Sequence, residues 1–175
     1  MLHDKYLPTF HFSEKHSIII KGNASDIWPI IVEGDLSGSW VIRWLFALRR
    51  MPARMTTFQG LHKGGFVRLE QIENEELIIG LIGQFWKADG NLQLFDPAEF
   101  STWHEPGFLK ASWNFELFQM GSVTRVETET RVLCLDDKAL KRFTRYWFFI
   151  RPFSGVIRKE MLRGIKRKAE KNHQH

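Results

Sequence analysis

The side chains able to do chemistry are few in kind and scattered along the chain. The seven histidines are His3, His11, His16, His62, His104, His173 and His175, mostly in termini and loops, with no HxxxH pair among them. A mononuclear iron site wants two histidines and a carboxylate on one wall of a pocket, and a Rieske centre needs two cysteines as well. The chain has one cysteine, Cys134, so neither a metal nor any other cofactor is expected. Cys134 closes an apolar strand face beside Val132, where a thiol behaves as a small, inert hydrophobe. No GxSxG is present, and Gly64-Gly65 and Gly80 with Gly83 form neither GxGxxG nor a P-loop. Gly80 and Gly83 read instead as places for a bulge or sharp curvature. General acid–base chemistry remains: one or two polar groups inside an apolar cavity, where desolvation moves a carboxyl or imidazole toward a useful pKa. Glu70, His104, Arg43 and Tyr146 are candidates by type, although the surface is the ordinary place for such residues, and no catalytic residue is assigned.

The aromatic content says more. Seven Trp and fifteen Phe stand in 175 residues. Apolar pockets are built mainly from apolar and aromatic walls with a few polar groups, and rings also simply fill cores. The candidate ligand-binding set is Trp113, Phe115, Leu117, Thr128, Thr130, Phe143 and Trp147, with Glu70 and His104 as its polar members.

The elements that position these residues follow from periodicity. Residues 1–11 read as a loosely held arm. A strand is predicted over Phe12 to Lys21, with β-branched density at Ile18 to Ile20, ended by Gly22-Asn23. Asn23 then caps a short buried helix with Asp26 three residues on. A second helix from Ser39 to Met51 places Trp40, Trp44 and Leu48 on one face, and Pro52 stops it. From Gly64 the period becomes two. Phe66 to Ile72 and Glu76 to Trp86 form a hairpin, although Leu77 to Ile82 is apolar on both faces and its register is ambiguous. Shorter strands are expected at Leu92 to Phe95 and Phe100 to His104. The clearest hairpin is KASWNFELFQMG followed by SVTRVETETRVLCL. A two-residue turn at Gly121-Ser122 sets Leu117 opposite Val126, Phe115 opposite Thr128 and Trp113 opposite Thr130. The other face then holds Asn114, Glu116, Arg125, Glu127, Glu129 and Arg131. From Asp137 to about Lys171, Leu140, Phe143, Trp147, Ile150, Ser154, Ile157, Met161 and Gly164 keep a helical three-four spacing, with a bend or break expected near Pro152 and Gly155.

This order of strand, two short helices, a meander of strands and one long C-terminal helix resembles the START-like superfamily, also called SRPBCC or helix-grip. The carriers are HSIIIKGNASDIWPII, the hairpin above and ALKRFTRYWFFIRPFSGVIRKEML, and the resemblance covers residues 12–171, leaving a 172–175 tail. It implies an α+β helix-grip fold: a curved antiparallel sheet of about seven strands wrapped around the long helix. An apolar cavity between them would hold lipids, sterols, polyketides or hormones. Fold alone does not choose a function. The reading is binding or carriage of a hydrophobic small molecule or lipid. The alternative is a polyketide cyclase- or dehydratase-like enzyme using a buried polar residue. A polar dyad converging in the cavity favours the enzyme, and an all-apolar lining favours the carrier.

Charge adds a third alternative. Residues 1–137 hold 13 Lys and Arg against 18 Asp and Glu, whereas residues 138–171 hold 12 against 2. Arg158, Lys159, Arg163, Lys166, Arg167, Lys168 and Lys171 surround the helix stripe, as on a solvated helix face or on a surface for acidic partners and weak contact with anionic membrane. Nucleic acid is not an expected partner, because no aromatic platform interleaves with these residues. The longest uncharged run, Leu77 to Trp86, is too short to span a bilayer as a helix. With a single thiol and no apolar leader in MLHDKYLPTFHFSEKH, the expected compartment is the cytoplasm.

Overall fold

A computed structural model describes residues 1–33, 65–87 and 89–172. Its elements are α1 (Leu2–Tyr6), β1 (Phe12–Lys21), α2 (Ala24–Val32), β2 (Val67–Ile72), β3 (Glu76–Gly83), β4 (Leu109–Met120), β5 (Val123–Cys134) and α3 (Asp137–Asn172). The strands form one antiparallel sheet in the order β1-β5-β4-β3-β2, gripping α3 on one face. The fold is α+β and helix-grip, with five strands among the described residues rather than about seven. The second helix expected over Ser39 to Met51, with Arg43, lies outside the described residues.

The hairpin sets the inside. β4 and β5 pair with Leu117 opposite Val126, Phe115 opposite Thr128 and Trp113 opposite Thr130, the register that a turn at Gly121-Ser122 requires. Side chains alternate along a strand, so Leu77, Ile79 and Leu81 of β3 join this face and pack with Phe143, Met161 and Leu162 of α3. The double-sided apolar character of β3 has a structural reason: all eight of its residues are buried. Ile78 and Ile82 face the opposite way, into a second layer with Leu2, Leu7, Leu69 and Phe100.

That second layer corrects several expectations. Leu92 to Phe95 and Phe100 to His104 are not strands. Asp96 instead starts a 3-10 turn over Pro97–Glu99, accepting from the Ala98 N–H at 3.0 Å, while Glu99 accepts from the Asp96 N–H at 3.1 Å. This turn lowers Phe100 onto the sheet, fully buried. Gly80 is there to admit it, because a Cβ would lie 2.9 Å from both Leu69 and Phe100. Lys110, buried beneath, donates to the Phe100 and Ser101 carbonyls at 3.1 and 3.0 Å. The strand irregularity is in β2, between Arg68 and Glu70.

At the helices, one cap differs and no break interrupts the long helix. The Asn23 side chain makes no cap hydrogen bond; Gln119 reaches over from β4 and accepts from the Ala24 N–H at 2.7 Å, meeting one of the donors that a helix start leaves open. α3 is one continuous helix with Pro152 inside it. Its contacts with β1 lie on both sides of the proline, Phe12 against Phe143 at 5.1 Å and Lys166 donating to the Ile19 carbonyl at 3.0 Å, so packing holds both halves of the helix to one strand.

The arm is seated rather than loose. Leu2, His3 and Leu7 are buried against the outer face. The Leu2 N–H donates to Glu76 at 2.8 Å, and Asp4 accepts from Arg131 at 2.7 Å. His3 is 1% exposed, and burial, aided by the charge of Arg131 and opposed by Glu129, lowers its pKa to about 4. The folded arm therefore holds a neutral imidazole, whereas the unfolded chain takes up a proton below its ordinary 6.5. Stability from this source is complete above pH 6.5 and falls as pH drops toward 4, by at most about 1.4 kcal/mol per unit. Urea titrations at pH 7 and pH 5 should show the wild type losing about 1–2 kcal/mol more than His3→Asn; equal losses would show that His3 does not carry this dependence.

Candidate functional site

The face of the sheet turned toward α3 is ordered in crosswise rows. One row is Phe12, Val132, Ala111 and Leu81; the next is Glu14, Thr130, Trp113 and Ile79; the third is His16, Thr128, Phe115 and Leu77. The β3 and β4 side of these rows is apolar. The β1 and β5 side carries two carboxylate or imidazole groups and two hydroxyls, in adjacent rows. Strand alternation alone puts them there: if Ile18 and Ile20 point inward, so do His16 and Glu14.

Hydrogen bonds organise the patch. Trp113 Nε1 donates to Thr128 Oγ1 at 2.8 Å, and Thr128 Oγ1 lies 2.7 Å from the Asn114 carbonyl, to which it donates. His16 Nε2 and Glu14 Oε1 are 2.9 Å apart. From the helix, Arg158 reaches down so that Nη1 donates to Thr128 at 3.3 Å and the guanidinium lies 5.1 Å from the centre of the Trp113 ring, a cation–π stack. Arg158 as a whole is half-buried, but its Nε is shut off from solvent. Desolvation lowers its pKa to about 10, against the raising influence of Glu14, so it stays charged near neutral pH. Glu14 takes this position beside Gly155 of α3, where a Cβ would stand 2.8 Å from Glu14 Oε1 and 3.6 Å from His16 Nε2 and would make the carboxylate shift.

Rings close the patch on either side. Phe12, Phe143 and Trp147 form one group, with centroids 5.1 to 5.8 Å apart, and Phe85 joins Phe143 at 6.5 Å. Trp113 and Phe115 pair at 5.2 Å beneath α3. Of the residues singled out from sequence, Trp113, Phe115, Leu117, Thr128, Thr130, Phe143 and Trp147 thus share one interior, and Tyr146 packs 5.7 Å from Phe143 at its margin. Glu70 does not join them. It turns to the outer face and is held by Lys5 and by the Tyr6 hydroxyl at 2.8 Å. His104 is exposed in a loop, its Nδ1 against the Thr102 carbonyl.

Sequence reasoning passed over Glu14, His16 and Arg158. By sequence, His16 reads with the histidines of termini and loops, and Arg158 with the solvated basic run. The parity of β1 was the available signal for the first two. For Arg158 the signal was weaker: it follows Ile157 and stands four residues after Ser154, at the edge of the inward stripe. Its basic neighbours remain outside, with Arg163 donating to Glu160 at 2.7 Å and Lys166 held on the Ile19 carbonyl. Cys134 is buried, and burial with the nearby Asp136 pushes its thiol up to about 12. Among the described residues no helix is long and apolar enough to cross a membrane.

No protein-family model and no curated protein matches this chain. Similar solved structures include a hypothetical protein of Helicobacter pylori, 9% identical over 95% of this chain and 93% of that one, with a TM-score of 0.44. The di-domain aromatase/cyclase BexL is 13% identical over 91% of this chain, with a TM-score of 0.36, and this chain spans 47% of its length. An aromatase/cyclase from a Streptomyces species is 13% identical over 91% and 93% of the two chains, with a TM-score of 0.32. At these identities and TM-scores the likenesses carry no argument about what this chain does.

Two measurements check the site. Gly155→Ala should push the Glu14 carboxylate away from His16, seen as a change in the His16 imidazole NMR signals, while Gly164→Ala, whose Cβ meets only the tip of Arg167 at 4.0 Å, should leave them in place. The loss of the Glu14 contact offsets the usual helix gain of about 1 kcal/mol for Gly→Ala, so Gly155→Ala should be less stable than Gly164→Ala. A thiol reagent should label Cys134 only on unfolding; rapid labelling of the native protein would contradict its burial.

Proposed function

We propose that the interior between the sheet and α3 binds a hydrophobic small molecule or lipid, seated with its apolar body against the Phe12, Phe143, Trp147 and Phe115 rings and its polar end at the Glu14–His16–Arg158 patch. The observation that carries this reading is the patch itself. A core whose only task is packing gains nothing from a buried guanidinium, since an ion removed from water costs several kcal/mol, whereas apolar pockets use a few such polar groups to orient a ligand. The START-like resemblance adds that domains of this order hold apolar ligands between sheet and helix.

A second reading is supported by a specific feature. The 2.9 Å contact of Glu14 with His16 makes a polar dyad on an aromatic wall, the arrangement expected of an enzyme rather than a pure carrier. A carboxylate that orients an imidazole gives a general acid–base pair, and Arg158 would stabilise negative charge developing on an oxygen beside it. Weak contact with anionic membrane through the basic half of α3 remains a proposal of lower reach, because Arg158 has left that surface for the interior.

Titration with Nile red should show saturable one-to-one binding at roughly micromolar affinity, with displacement by a fatty acid, and native mass spectrometry of the purified protein should reveal a copurified small molecule. Absence of both dye binding and displacement would overturn the proposal. The two readings separate when the copurified compound is returned to the protein in deuterium oxide. Unchanged mass supports binding alone; carbon-bound deuterium that fails to appear with Glu14→Gln supports proton transfer by the dyad.

A further inference from the structure

Three polar atoms of the interior patch have no hydrogen-bond partner and no access to solvent: Glu14 Oε2, Thr130 Oγ1 and Arg158 Nε. Buried polar groups are normally paired, and one left unmatched costs about 1–3 kcal/mol. Three unmatched atoms in one place are therefore a description of what is missing. Their chemistry is complementary rather than uniform: Arg158 Nε–H only donates, a Glu14 carboxylate oxygen only accepts, and the Thr130 hydroxyl does either. Glu14 and Thr130 face each other across β1 and β5. Arg158 hangs from α3 over the adjoining row, fixed through Thr128 and the Trp113 ring.

We propose that these three atoms seat the head group of the ligand, and that this head group carries an acceptor and a donor on the same carbon, as a carboxylic acid or a primary amide does, at the end of an apolar body. The inference rests on the reading that the interior binds a hydrophobic molecule and specifies which kind. The carbonyl oxygen accepts from Arg158 Nε, the O–H or one N–H donates to Glu14 Oε2, and Thr130 Oγ1 donates to the acid's hydroxyl oxygen or accepts from the amide's second N–H.

Other head groups fit less well for stated reasons. An ester or ketone has no donor and leaves Glu14 Oε2 unmatched. A quaternary ammonium meets the Arg158 charge. A phosphate or sulfate brings several acceptor oxygens against the Glu14 carboxylate. A neutral acid or amide adds no charge to a patch that already holds one guanidinium and one carboxylate, and an acid that shares its proton with Glu14 keeps that balance.

Displacement of Nile red from the intact protein by decanoic acid, decanamide, methyl decanoate and 1-decanol tests this. Acid and amide are expected to bind about tenfold more tightly than the ester, the equivalent of about 1.4 kcal/mol, with the alcohol between. Arg158→Gln and Thr130→Val should each bring acid and amide to within about threefold of the ester. Thr130→Val preserves shape, so it decides the matter if Arg158→Gln does not fold. Equal displacement by all four compounds, or a gap that survives Thr130→Val, overturns the head-group assignment while leaving a hydrophobic binding site. Failure of every compound to displace the dye overturns the binding reading itself.

Discussion

The turn at Gly121 and Ser122 fixes which side of the sheet every residue of β4 and β5 faces, because a strand's side chains alternate and a slip of one position would exchange the two faces. With Phe115 set opposite Thr128, the pairing partners inherit the same parity. β3 places Leu77, Ile79 and Leu81 on the helix side, and β1 places Phe12, Glu14, His16 and Ile18 there. The polar patch, the aromatic wall and the stripe of α3 that meets them are consequences of this single register. Had the hairpin slipped by one residue, Glu127, Glu129 and Arg131 would stand under α3 in place of Thr128 and Thr130.

The opposite parity is used as fully. In a sheet with one wet face, Asn114, Glu76, Lys110 and Arg131 would be surface residues; here they are buried. The arm and the loop around Phe100 cover them, and both supply backbone groups that satisfy the charges: the Leu2 N–H meets Glu76, and the Phe100 and Ser101 carbonyls meet Lys110. Asn114 bridges by donating to Glu76 at 2.9 Å and accepting from the Glu129 N–H at 2.9 Å. These pairings tie the cover layer to the sheet with directional contacts, so the outer layer is specified in position as well as in hydrophobicity.

What could be read from the chain follows the range of the interactions involved. The β1 limits, the β4–β5 register and the helical stripe from Leu140 to Gly164 rest on local periodicity and were legible. The fate of Leu92 to His104 was not. Those residues carry strand-like composition, but Asp96-Pro97 starts a 3-10 turn and Phe100 finds its place against Leu69 and Gly80, distant in sequence. Glu70 has mid-strand character yet takes its partners, Lys5 and Tyr6, from the arm. For the site, the aromatic half was visible because rings on a stripe announce an interior. The polar half was hidden by residue type: glutamate, histidine and arginine read as surface unless strand parity is allowed to overrule composition, as it does at Glu14 and His16.

The strand order β1-β5-β4-β3-β2 also has a bearing on how the chain comes together as it is made. The meander from β2 to β5 joins neighbours in sequence, through tight turns at β2–β3 and β4–β5 and the longer segment 84–108 between β3 and β4, whereas Phe12 must wait for Val132 before it has a partner. Loop closure over such a separation is entropically costly and slow. Throughout synthesis, Ile18, Ile19 and Ile20 form a β-branched segment without a sheet to join, the kind of exposed edge that invites pairing with another chain. Ser13, Lys15, Ser17 and Lys21, all exposed on the far side of that strand in the finished fold, are placed to keep the waiting segment soluble until β5 leaves the ribosome.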